Sequence, residues 1–278
     1  MKIYKTNQRI LIEEDNRVFV SSHTDWDAFV NRDDLYDSLV RETDQLQPVG
    51  GSDWLDSQPI LAPIGSQEVW AAGVTYLRSK TARMEESQES GAATFYDKVY
   101  EAERPELFFK ATAARTVGTN DFVRIRRDST WDVPEPELAL CLTASGKIVG
   151  YTIGNDMSSR SIEGENPLYL PQAKTFDRCA GLGPGIYVTP HPIPPETRIA
   201  MQIFRAGGVV FEGETRISQM KRQHPELVEF LFRECTFPQG VILMTGTCIV
   251  PNPDFTLRSG DEIRITIDHI GTLLNTVQ

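Results

Sequence analysis

Glu135 and Glu137 stand two residues apart in "VPEPELAL", residues 133–140, interleaved with Pro134 and Pro136. On an extended strand, residues i and i+2 share a face, so a strand here aims both carboxylates the same way. Each proline biases the residue before it, Val133 or Glu135, toward extended backbone, and each lacks an N–H, which suits the edge or rim of a sheet. Two like charges that close repel, so inside a cleft they require a cation or a raised pKa. A third acid, Asp156, ends the alternating run in "VGYTIGND". Three carboxylates with no neighbouring His or Cys form a hard, oxygen-only donor set, suited to Mg2+, Mn2+ or Ca2+ rather than Zn2+. Taken alone, E-P-E more often decorates an exposed face. Lys174, in "YLPQAKTFD", is a lone cation ahead of "GLGPGIYV". Beside a metal it could hold an anionic substrate; otherwise it is a surface lysine.

The elements that must carry these groups are read from pattern. A chain of 278 residues with 40% hydrophobic content can bury a sizeable core, as one large domain or a large and a small one. A breaker-rich stretch near residues 58–65 marks a boundary. It sets a small α/β piece, residues 1–62, before a main domain, residues 63–278. Residues 8–20 predict two strands around a turn at Asp15-Asn16. Helices are predicted after Thr24, through "LYDSLVRET", through "GAATFYDKVYEAE" and through "HPELVEFLFREC". Period-two runs such as "FVRIRR", "RIAMQIFRAG" and "EIRITID" dominate the remainder, and "GVILMTGTCIV" reads as a buried strand. The fold class is α+β with a β-rich, mixed-sheet main domain.

Net charge of −11 argues against nucleic acid as a partner, and the short cluster Arg124, Arg126 and Arg127 reads as a solvated strand face. No run is long enough for a membrane helix, and no signal-peptide core opens the chain. Cys141, Cys179, Cys235 and Cys248 are widely spread, without metal-ligand spacing, and read as reduced thiols of a cytoplasmic protein.

E-x-E, then "GYTIGNDMSSR", then "AKTFD" and "GLGPG" together resemble the fumarylacetoacetate hydrolase family. The resemblance spans most of residues 65–278 and includes the ending "LRSGDEIRITIDHIGTLLNTV". It implies a β-roll-like main domain that assembles as a homodimer or homotetramer. It implies Glu135, Glu137 and Asp156 as ligands of Mg2+, with Mn2+ possible, and Lys174 at the substrate.

Hydrolases of this family carry a histidine soon after the first strand of the domain, which helps to activate water. The matching stretch, "AAGVTYLRSKTARMEES", has none, and His23, His191, His224 and His269 all lie outside residues 65–180. "EVWAAGVTYLRSK", "AERPELFFKA" and "SSRSIEGENPLYLPQAK" are more similar to the branch that dehydrates 2-keto-3-deoxy-pentonates, of arabinonate or xylonate type. That resemblance implies a 2-keto acid substrate and a product formed by β-elimination, 2,5-dioxopentanoate. It implies Glu106 as general base, with a surface glutamate as the bland alternative. Arg78 and Thr272 are candidate substrate contacts, and the polar, helical segment 78–104 is expected to act as a lid. Ser161 departs from the aspartate that relatives often have there, so a change around the ligands is expected. Competing readings are a C–C hydrolase of acylpyruvate-like or fumarylacetoacetate-like diketo acids, a keto-acid decarboxylase or isomerase, and a metal-binding protein without activity.

Overall fold

The structure, a computed structural model, describes residues 1–86 and 93–278. The strands are β1 (Lys2–Lys5), β2 (Ile10–Glu14), β3 (Arg17–Val20), β4 (Glu68–Gly73), β5 (Glu106–Thr112), β6 (Thr116–Val117), β7 (Asp121–Val123) and β8 (Asp132–Leu142). They continue with β9 (Ile148–Ser159), β10 (Ala180–Tyr187), β11 (Arg198–Arg205), β12 (Gly208–Arg216), β13 (Val241–Met244), β14 (Glu262–Ile267) and β15 (Gly271–Val277). The helices are α1 (Trp26–Val30), α2 (Leu35–Thr43), α3 (Ser52–Asp56), α4 (Leu77–Glu86), α5 (Ala93–Glu101), α6 (Arg160–Glu165), α7 (Leu170–Lys174) and α8 (His224–Phe232). Among the described residues, ten strands form one mixed sheet, in the order β3-β2-β1-β10-β9-β8-β13-β4-β5 with β6 beside β10. A second sheet runs β12-β11-β14-β15-β7. The protein is therefore strand-rich α+β, as the patterning predicts.

The large sheet is covered on both faces. Leu138, Leu140 and Ile153 share a core with Ile199, Met201, Ile265 and Leu273 of the second sheet. Ala139, Cys141 and Met244 share another with Phe29 of α1 and Leu35 and Leu39 of α2. Alternate residues of β8 thus feed opposite cores, and every residue of β8 is buried. The Asp15-Asn16 turn predicted between β2 and β3 has both residues at positive φ, the geometry that a tight hairpin of this hand requires. Within residues 1–62, β1 pairs with β10, and Ile3 and Ile12 join the core of the large sheet.

One irregularity creates room for chemistry. β13 is short, and pairs with β8 only at Ala139–Leu142 and with β4 only from Glu68 to Ala71. Beyond Met244 the chain leaves the sheet through Gly246, at φ +96°. The predicted strand over "GVILMTGTCIV" is therefore confined to its first part. The N-terminal half of β8 keeps β9 as a neighbour but has lost β13. The Leu138 carbonyl accepts the Thr245 N–H at 2.9 Å, so even-numbered residues of β8 turn their backbone groups to the β13 side. Pro134 and Pro136 are even-numbered. Their missing N–H groups face the side where β13 has ended, and no ladder bond is lost.

Candidate metal centre and its surrounding cleft

Glu135, Glu137 and Asp156 meet at this notch. β8 and β9 pair in register, Glu135 opposite Asp156 and Glu137 opposite Gly154. Opposed residues of an antiparallel pair share a face, so the three carboxylates converge. One oxygen of each lies within 4.8 Å of the others, and all three residues are buried. A hard cation bound at about 2.0–2.6 Å from each oxygen fits a triangle of this size, and the set contains no nitrogen or sulfur.

The surrounding charges are buried too. Lys174, the last residue of α7, donates to Glu135 Oε2, to Asp156 Oδ2 at 3.1 Å and to Ser158 Oγ at 2.7 Å. Arg160 follows β9 directly, where the Ser159 side chain caps α6, and its guanidinium pairs with Glu135 Oε1. Glu163, one turn on, lies 3.9 Å from Arg160 Nε and 4.0 Å from Lys174 Nζ. Lys110 of β5 reaches Asp156 Oδ1 at 2.6 Å. Glu137 Oε2 accepts the Gly246 N–H at 2.6 Å. Burial, then the charges of Asp156 and Glu135, push Glu137 well above the usual carboxylate range. Burial acts the same way on Asp156, but Lys110 and Lys174 outweigh it and hold that carboxyl below its usual range. Lone carboxylates this deep would be strongly destabilising; these are embedded in a lattice of opposite charge.

The cleft is lined by Ala72, Gly73, Val74, Ser79, Phe108, Arg160, Lys174 and Thr247 with the three acids. Glu106 opens β5 opposite Gly73, and its carboxylate lies across that glycine: a Cβ at residue 73 would sit 2.0 Å from Glu106 Oε2. Glu106 Oε2 is buried without a hydrogen-bond partner among the described residues. Arg78 is half-buried on the first turn of α4, and its neighbour Ser79, not Arg78 itself, lines the cleft. Of the stretch 78–104, residues 87–92 lie outside the described residues. α4 and α5 flank them, joined by Lys80 to Asp97 at 2.7 Å, and Val74 packs on Met84, Val99 and Tyr100.

Thr272 is placed elsewhere. It is exposed on β15 of the second sheet, its hydroxyl 2.9 Å from that of Thr266. Thr247 is the threonine at the cleft. Ser161 does not touch the acids; its hydroxyl lies 3.0 Å from Ser129 Oγ and accepts the Thr130 N–H at 3.2 Å. No histidine is among the described residues lining the cleft. His191 and His224 line a separate one, where His224 is half-buried beside Tyr151. The sequence reading assigned nothing to Lys110, Arg160 or Glu163.

Residues 69–278 match the fumarylacetoacetate hydrolase C-terminal family model. The chain belongs to the fumarylacetoacetate hydrolase family. It is 52% identical over 217 residues to a probable 2-keto-3-deoxyxylonate dehydratase of Haloferax volcanii, covering 77% of this chain and 73% of that one. It is 45% identical over 225 residues to the 2-dehydro-3-deoxy-D-arabinonate dehydratase of Saccharolobus solfataricus, covering 79% and 74%. A solved structure of 2-keto-3-deoxy-D-arabinonate dehydratase complexed with magnesium and 2,5-dioxopentanoate superimposes with a TM-score of 0.83 at 35% identity. That match covers 100% of this chain and 99% of the other.

Proposed function

We propose that this protein is a Mg2+-dependent dehydratase that converts a 2-keto-3-deoxy-pentonate, of arabinonate or xylonate type, to 2,5-dioxopentanoate. The observation that carries the reading is the inventory of the cleft. It has three convergent carboxylates, an ammonium and a guanidinium, and no imidazole among the described residues lining it; Glu106 is not in the lining but lies against Gly73, which is. Loss of water from a sugar acid needs a proton acceptor and stabilisation of charge at a keto oxygen, but no activated water. The family relationship and the full-length similarity to a dehydratase with magnesium and product support the same assignment.

Glu135, Glu137 and Asp156 would hold Mg2+, with Mn2+ able to replace it. When bound, the ion supplies a Lewis acid to the substrate's carboxylate and 2-keto oxygens. Lys174, whose ammonium donates to Glu135, Asp156 and Ser158, would exchange one of these acceptors for the anionic end of the substrate. Glu106 takes the C3 proton, which requires its oxygen within hydrogen-bond reach of that carbon. The C4 hydroxyl leaves as water, and a C3–C4 double bond forms. Transfer of a proton from C5 to C3 gives the enol of the C5 aldehyde, which tautomerises to the product. One water is lost and no carbon–carbon bond breaks. Arg78, one residue before Ser79, is retained as a contact to substrate hydroxyls when α4 approaches, and Thr247 replaces Thr272 as the hydroxyl at the cleft.

Offering 2-keto-3-deoxy-arabinonate, its xylonate epimer and an acylpyruvate in parallel, with Mg2+, tests this reading. Loss of one water from a sugar acid, abolished by EDTA, is expected. Pyruvate from the acylpyruvate with both sugar acids untouched would overturn it. We also infer a cytoplasmic homodimer or homotetramer. Among the described residues no helix is long and apolar enough to cross a membrane. Exposed Phe122, Leu168, Val209 and Val210 support assembly, which light scattering measures.

A further inference from the structure

Lys110 is fully buried, and the reaction above gives it no role. Its ammonium donates to the Met157 carbonyl at 2.8 Å and to the Lys174 carbonyl, and pairs electrostatically with Asp156 Oδ1 at 2.6 Å. Both acceptors are backbone, one on β9 and one at the end of α7. The ammonium is therefore fixed to the frame and cannot follow Asp156 if that carboxylate turns. The Phe176 ring, 5.6 Å from Nζ, stands against another side. The other oxygen of Asp156 faces differently. Lys174 contacts Asp156 Oδ2 at 3.1 Å while it also contacts Glu135 Oε2, so Oδ2 is the oxygen turned to the other carboxylates.

We infer that Lys110 is a positioning residue: it commits one oxygen of Asp156 and so limits that residue to ligating the cation through the other. The inference rests on the metal-site reading above. Mg2+ and Mn2+ accept roughly six oxygens. One from each of Glu135, Glu137 and Asp156 leaves about three positions. A 2-keto acid needs two of them for its carboxylate and keto oxygens, with one left for water. An Asp156 released to chelate through both oxygens would occupy a position that the substrate and this water require. A lysine suits the task because a compact ammonium can converge on three oxygens, which a planar guanidinium does not.

The test uses Mn2+ alone as the probe, and counts bound waters by electron paramagnetic resonance in 17O-enriched water. Wild-type protein is expected to show about three waters, and Lys110→Met about two, with Mn2+ bound as tightly as by wild type or more tightly. A collapse of the site by misfolding would instead weaken Mn2+ binding. In turnover assays the same variant should raise KM for the sugar acid. Two or fewer waters in wild type, three in Lys110→Met, or Mn2+ binding more than about tenfold weaker by a Lys110→Met protein that melts as wild type does would each overturn the inference. The wild-type count requires no variant, so two or fewer waters overturn the inference even if Lys110→Met does not fold. Wild-type protein that binds no Mn2+ would remove the metal-site reading itself, a result distinct from a wrong water count.

Discussion

Gly73→Ala isolates the proposed base from the proposed metal site. In the fold, a Cβ at residue 73 would stand 2.0 Å from Glu106 Oε2 and 2.5 Å from its carboxyl carbon. Ordinary contact begins at 3.4 Å, so the carboxylate must withdraw by about 1.4 Å. A positioned general base contributes roughly 10²–10⁴-fold, and a misplacement of about 1 Å at a reacting group costs roughly 10²-fold. The variant should therefore lose about two orders of magnitude in kcat. Stability should not fall with it. Gly73 does not have a left-handed φ, and alanine in a strand is favoured over glycine by about 0.5–1 kcal/mol. The carboxylates of the metal site belong to β8 and β9, two strands that Gly73 does not pair with, so Mg2+ affinity should stay within about twofold. Turnover followed by product mass, Mg2+ titration by calorimetry and a thermal melt measure the three quantities on one preparation. A kcat within about threefold of wild type, with folding and Mg2+ binding intact, would refute the placement of Glu106 as base.

Glu135→Gln should weaken Mg2+ binding and abolish turnover, whereas Glu106→Gln should lower turnover by roughly 10²–10⁴-fold and spare Mg2+ binding; loss of metal by the latter would reverse the assigned roles. Gly246→Ala should weaken Mg2+ binding about 10- to 100-fold, because the left-handed backbone is strained for alanine and the N–H given to Glu137 Oε2 at 2.6 Å moves. Its Cβ would also meet Thr75 Oγ1 at 2.0 Å, and unchanged calorimetry would count against that donor's importance. Burial lowers the His224 pKa from 6.5 to about 4, so the fold accommodates the neutral ring. The associated stability is present above pH 6.5 and is lost as pH falls toward 4, by at most about 3 kcal/mol. Urea unfolding at pH 7 and pH 4.5 should show a smaller acid loss for His224→Gln than for wild type, and equal losses would exclude His224 as the source.

Much of the site was legible because strand periodicity is local. Two glutamates at i and i+2 beside prolines must share a face of extended chain, an inference that needs only nearest neighbours. Asp156, read as the end of an alternating run, instead lies inside β9, which continues to Ser159 and pairs with β8 and β10 on its two sides. The prolines even carried the reason: they mark the stretch of β8 that β13 no longer pairs. What lay beyond reading was whether those faces would be covered. Lys110 sits in "LFFKA", where alternation on a strand reads as one more solvent-facing cation. Its burial depends on Asp156, Met157 and Lys174, all distant in sequence. The same holds for Arg160, which meets Glu135 across the β8–β9 pair and the turn into α6.

The two threonines show the limit most clearly. Thr247 and Thr272 both follow a glycine, and both follow or begin apolar strand segments, so composition does not separate them. Backbone geometry does. Gly271 is also at positive φ, +134°, but stays in the ladder opposite Ile267, which sets Thr272 opposite Thr266 on an exposed sheet face. Gly246 leaves the ladder at φ +96°, and a side chain there would clash with Thr75 and the Ala72 carbonyl. That close approach is possible only for glycine. It is what ends β13 early, turns the Gly246 N–H onto Glu137 and brings Thr247 to the cleft. The residue that separates a buried strand from half of a binding site is thus a glycine whose signal is conformational, and conformation at one position is set by packing against strands far away in the chain.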